Sequence, residues 1–177
     1  MRIFFVVISF FLVLVGVTCG EEPRPVPLTR EQLENAEYPI EGVDGRPIRL
    51  QNGIYRQKYD PTAASEMVVQ LSESVGGDLD GDGVPDAVVV LVSDGGGSGI
   101  FYDLIAVRNS NGQPKATALV SLGDRARVIG LKVVKVQVEV LIHIRGEGDP
   151  LSERTKLEAM IYRLDGDQWK QIPLKAK

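Results

Sequence analysis

Six consecutive apolar residues, Ala87-Val-Val-Val-Leu-Val92, follow directly on the nonapeptide Asp78-Leu-Asp-Gly-Asp-Gly-Val-Pro-Asp86. This junction constrains the fold more than any other stretch. The run is short and rich in β-branched residues, which suits a strand better than a helix. It has no polar alternation, so both of its faces must be buried, and the spacing predicts a central strand.

The rest of the chain supplies the neighbours of such a strand. Residues 47–50, 54–59, 66–72, 100–108, 115–122, 125–133, 136–144, 156–164 and 168–173 carry strand signals, several with strict alternation. In the segment 136–144, Val136, Val138, Val140 and Ile142 share one face, and Gln137, Glu139, Leu141 and His143 the other. Asn52-Gly53, Asn111-Gly112 and Asp165-Gly166-Asp167 are hairpin-turn sequences between such runs. Hairpin-length connections imply an antiparallel meander, and a twisted sheet of this many strands curls into a barrel or splits into a sandwich. The expected fold is mainly β, a barrel or a sandwich, with one short N-terminal helix. Thr29-x-x-Gln32 is a capping box for that helix, with Leu33 and Ala36 on one face and an end before Pro39.

The acidic nonapeptide has the chemistry of a hard-cation loop. Calcium takes six to eight oxygen ligands in flexible geometry. Asp78, Asp80, Asp82, the backbone carbonyl of Val84 and Asp86 fall at positions 1, 3, 5, 7 and 9 of such a loop, with Gly83 at the sharp turn. Four carboxylates this close repel one another unless a cation lies between them or water solvates them fully. The twelfth position is Val89, where an EF-hand has a bidentate Glu, and a strand follows where a helix would. The chain therefore has no EF-hand. The loop resembles the Asp-x-Asp-x-Asp-Gly-x-x-Asp loops of FG-GAP repeats and, in its first half, the dockerin loop. That resemblance implies calcium held by Asp78, Asp80, Asp82, Val84 and Asp86, with water or another carboxylate completing the shell. Asp94 and Asp103 are conceivable donors. A propeller of FG-GAP units needs several such loops, and there is one.

A wider stretch is also familiar. Gly77 to Leu91, Asp94-Gly-Gly-Gly-Ser-Gly99 with Phe101-Tyr102, and Leu122-Gly-Asp-Arg125 together resemble a group of uncharacterised bacterial secreted or lipid-anchored proteins. The likeness is loose over residues 45–172 and better over 77–125. It implies an extracytoplasmic domain and no catalytic residues.

The N-terminus fits that location. Residues 1–18 read as a signal peptide, with Arg2 before an apolar stretch, 3–15, that is short for a permanent membrane span. A retained N-terminal anchor is the alternative. Cys19, the only cysteine, follows the apolar run as the lipidated cysteine of a bacterial lipoprotein does. Ordinary cleavage after Cys19 or Gly20 is its rival. Residues 19–28, with prolines alternating from Pro23 to Pro27, read as an extended tether, and 29–177 as a single β-rich domain.

The composition narrows the function. The net charge is −4, well mixed, with no basic patch carrying interleaved aromatics, so no nucleic-acid partner is expected. One histidine, His143, and no cysteine in the folded body exclude a Cys-His pair or a multi-His zinc site within one chain. His143 is expected to be a surface or half-buried strand residue. Gly95, Gly96, Gly97, Ser98 and Gly99 lack the Lys-Ser/Thr ending of a phosphate loop. They are expected to form a flexible hairpin tip next to the calcium loop, where Phe101 and Tyr102 could supply a contact platform. The dense aspartates suit metal ligation, which needs them ionised together, better than a glycosidase pair, which needs one held neutral. The expected function is a non-enzymatic, structural calcium-binding domain, anchored by lipid in the bacterial periplasm or at the cell surface. The alternative is a binding or inhibitor module that recognises an envelope protein or polysaccharide through residues 94–102.

Overall fold

The computed structural model describes residues 25–150 and 153–174. Residues 1–18, expected to be a signal peptide, Cys19 and most of the expected tether lie outside the described residues.

Two open antiparallel meanders make up the body. Strands β3 (Ile54–Lys58), β4 (Glu66–Gly77), β5 (Asp86–Asp94), β6 (Ile100–Ser110) and β7 (Gln113–Asp124) form one sheet in chain order. Strands β8 (Arg127–Val134), β9 (Gln137–Ile144), β10 (Lys156–Asp165) and β11 (Gln168–Ile172) form the second, also in order. Among the described residues no sheet closes into a barrel. Instead the two sheets face each other across one core. Val88, Val90, Leu104, Ala106 and Ala118 of the five-stranded sheet meet Val138, Val140, Ile142, Met160, Tyr162 and Leu164 of the four-stranded one. Trp169 Nε1 reaches across from β11 and donates to the Leu104 carbonyl at 3.1 Å.

The far face of the five-stranded sheet is covered too. A small ribbon of β1 (Glu37–Glu41) and β2 (Pro47–Arg49), with the helix α1 (Arg30–Glu34), lies over it. Leu33, Ala36, Tyr38, Ile48 and Leu50 pack there on Val69, Leu71, Ala87, Val89, Leu91, Ile105 and Val107. This explains the unbroken apolar run. β5 is the middle strand of a sheet buried on both faces, and Val88 to Leu91 are all 0 % exposed. Each such side chain is worth about 1.5–3 kcal/mol relative to exposure.

Three expectations change. The helix is a single five-residue turn, with the Thr29–Gln32 capping box formed and Asn35 as its C-cap, so Ala36 lies beyond it. β1 carried no recognised strand signal. Asn52-Gly53 does not join a two-stranded hairpin: one bridge, Gln51 to Ile54, closes the turn, after which β2 pairs back with β1 and β3 pairs with β4.

One half-buried carboxyl on the five-stranded sheet makes a measurable prediction. Asp103 of β6 sits between Leu91 and Ser121. Burial pushes its carboxyl above the usual range, and the Ser121 hydroxyl opposes this by bonding the charged form. The folded state thus binds this proton more tightly than the unfolded chain. This group's contribution to stability therefore rises as pH falls through its folded pKa, and the ionised form is a burden at neutral pH. Asp103→Asn is expected to raise Tm at pH 7 by about 2 °C. The gain should vanish below roughly pH 3.5, where the carboxyl is protonated in both states. A variant that melts lower than the parent at pH 7 would contradict the assignment.

Candidate metal centre

The acidic loop is the connection between β4 and β5, whose ends pair as Gly77 with Asp86. It lies at the end of the sandwich where three other turns gather. Val136 of the β8–β9 turn comes within 3.8 Å of the position a Cβ on Gly81 would take. Asn109 stands at the β6–β7 turn, and Gly166-Asp167 form the β10–β11 turn. The sheets also meet tightly beside the loop. A Cβ on Gly77 would lie 2.6 Å from Val133 Cβ, so only glycine lets β4 approach β8 there.

Within the loop the aspartates bond to the loop's own backbone. Asp78 accepts from Gly81 N at 2.7 Å through one oxygen and from Gly83 N at 3.1 Å through the other. Asp80 accepts from Asp82 N at 3.2 Å, and Asp82 from Val84 N at 2.7 Å. These short turns need left-handed backbone at Gly81 (φ 87°) and Gly83 (φ 83°), which is why glycine stands at both. Leu79, between the first two aspartates, points the other way and is 1 % exposed in the inter-sheet core.

Asp86 is different in kind. It is 3 % exposed, the one buried charged residue among those described. Its two oxygens accept from Leu79 N at 3.2 Å and Asn109 N at 2.8 Å. Burial pushes its carboxyl up, and the Asp80 and Asp82 charges add to this, while the two backbone N–H bonds hold it down. Asn109 extends the network: its side-chain amide donates to the Pro85 carbonyl at 3.0 Å and to the Val26 carbonyl at 2.8 Å.

Carboxylate oxygens of Asp78, Asp80 and Asp86 lie within 4.8 Å of one another and could hold a metal ion. Asp82, expected as a ligand with them, is outside that group; its carboxylate closes the turn at Val84 instead. The two donors considered elsewhere are remote. Asp94 is at the opposite end of β5, about 25 Å away at strand rise, and bonds Gly96 N. Asp103 pairs with Leu91 in mid-strand. The residues that do reach the loop from a distance are Arg108 and Asn109. Sequence reasoning passed over both, since a basic and an amide residue at a strand end look like ordinary surface. Their one signal is their place just before the Asn111-Gly112 turn, at the same end of the sheet as the loop.

The glycine-rich turn does not lie next to the acidic loop. It joins β5 to β6 at the other end of the sandwich. It is tied down at several points. Tyr59 Oη donates to the Gly95 carbonyl at 2.8 Å, and Ile100 N donates to Asp124 at 2.9 Å. Tyr59 and Phe101 beside it are about half exposed, at 48 % and 49 %. His143 is half-buried on β9, opposite Arg127 and Leu157. No helix among the described residues is long and apolar enough to cross a membrane. Neither family models, curated proteins nor solved structures gave a match to the chain.

Proposed function

We propose that this is an extracytoplasmic calcium-binding β domain with a structural role for the ion and no catalytic activity of its own. In this reading it is carried to the bacterial envelope by residues 1–18 and anchored there by lipid on Cys19. The observation that carries the reading is the convergence of the Asp78, Asp80 and Asp86 carboxylates. A hard, oxygen-only donor set of this kind suits calcium better than a thiophilic metal. Extracytoplasmic calcium is plentiful enough to fill a weak site, and an ion bound only by the folded state stabilises it by mass action.

At a calcium concentration a hundred times its Kd the gain is about 2.7 kcal/mol. For a domain of this size that is a rise in Tm of roughly 5–10 °C over the same protein in EDTA. Asp80→Asn should remove most of that rise. A melting temperature indifferent to EDTA and calcium would end the proposal.

A second reading has its own support. Tyr59 and Phe101 present two exposed aromatic rings beside the tethered Gly95–Gly99 turn, an arrangement suited to contact with an envelope protein or polysaccharide. Capture from envelope extract by the intact chain, lost on deleting Gly95 to Gly97 with Tm unchanged, would favour it.

A further inference from the structure

We propose that Arg108 is the resident counter-ion of the acidic loop, and that it latches the loop to the facing sheet. Its guanidinium is the cation that meets these carboxylates: Nη1 lies 3.1 Å from Asp80 Oδ2. The same group turns its other edges to the β10–β11 hairpin. Nη2 donates to the Gly166 carbonyl at 2.8 Å, and Nε lies 3.6 Å from Asp167 Oδ1. Nε is buried and has no hydrogen bond, so its contact with Asp167 is one of charge alone.

The geometry gives the side chain two tasks. One is electrostatic: four loop aspartates repel one another, and a fixed guanidinium offsets part of that repulsion. The Arg108 and Asp80 side chains are 33 % and 24 % exposed, so solvent screens them less than a fully exposed pair. The other is mechanical. Arg108 stands on β6 of one sheet and grips a turn of the other, so the loop and the hairpin are held in one register. The loop thereby keeps its shape without a metal. Any metal that uses Asp80 must share that carboxylate with Arg108 or displace it.

The test is a double-mutant cycle on the full chain in EDTA, read by Tm. Arg108→Gln is expected to lower Tm by about 4 °C at low salt, and by less in 0.5 M salt. In the Asp80→Asn background the same change should cost about half as much, because the charge it neutralised is gone. The double variant also covers the case in which Arg108→Gln alone fails to fold. Equal losses in both backgrounds would overturn the counter-ion role, and so would insensitivity to salt. Calcium titration supplies a second readout, which does rest on the metal reading. Arg108→Gln should bind roughly tenfold tighter than the parent. Equal affinities overturn the competition and leave calcium binding standing. If neither chain binds calcium, the metal reading fails and the cycle in EDTA alone decides the role of Arg108.

Discussion

Asp86→Ala is expected to cost about 3 kcal/mol in EDTA, where no ion contributes, and more than that in calcium on the metal reading. The reason is that Asp86 acts on the backbone before it acts on any ion. It accepts N–H bonds from Leu79 in the loop and from Asn109 on the neighbouring strand, at a site 3 % exposed. Hydrogen bonds to a charged acceptor are worth roughly 1.5–3 kcal/mol each, and alanine leaves both donors without partners, the Leu79 N–H buried and the Asn109 N–H partly so. Relief of a carboxyl that burial disfavours offsets part of this. Asp86→Asn separates the contributions. It removes the charge and keeps one acceptor, but turns an amide N–H₂ toward the second donor, so its loss should be smaller than that of alanine and still clear. Urea unfolding at pH 7 reads both. A variant that is destabilised in calcium but matches the parent in EDTA would make Asp86 a metal ligand only, and the backbone staple would have to be abandoned.

How much of this was legible depends on the range of the interaction. Ala87 to Val92 read correctly as a central strand, because burial on both faces leaves its mark in each residue of the run. The β6–β7 turn read correctly because Asn111-Gly112 carries its own backbone preference, and Ser110 pairs with Gln113 across it. Asn52-Gly53 has the same local preference and does turn the chain, yet its flanking strands separate. Ile48 and Leu50 are drawn onto the far face of the five-stranded sheet, and that burial outweighs continued pairing with β3. β1 was hidden because Pro39 interrupts a five-residue segment whose only buried side chain is Tyr38. The site divides in the same way. The aspartate spacing and the glycines at 81 and 83 are local and were readable. Asp82 is turned by a local bond to Val84 N that the ligand spacing does not reveal, while the latch by Arg108 and the hub at Asn109 come from a strand about 25 residues on in the chain, and nothing in the loop encodes them. The glycine-rich turn was misplaced for a simpler reason. Nearness in sequence is not nearness in space here, because a nine-residue strand intervenes.

Leu79→Ala makes the sharpest link between core and site. Leu79 is 1 % exposed in the core between the two sheets, and its loss should cost about 3 kcal/mol, within the usual range for a buried Leu→Ala change. That is a fall in Tm of roughly 6–12 °C for a domain of this length. Stability alone would not distinguish it from any other core position, so the informative comparison is with Ile142→Ala. Ile142 is 1 % exposed in the same core but stands on β9, away from the loop. Leu79 lies between Asp78 and Asp80, and its buried side chain sets the direction in which both carboxylates project. On the calcium reading, Leu79→Ala should therefore weaken calcium binding about tenfold, a loss of 1.4 kcal/mol in the site. Ile142→Ala, with a comparable loss of stability, should leave affinity within twofold. If both variants bind like the parent, the loop's own hydrogen bonds from Gly81, Asp82, Gly83 and Val84 suffice to shape the site. In that case the core would support the loop without controlling it.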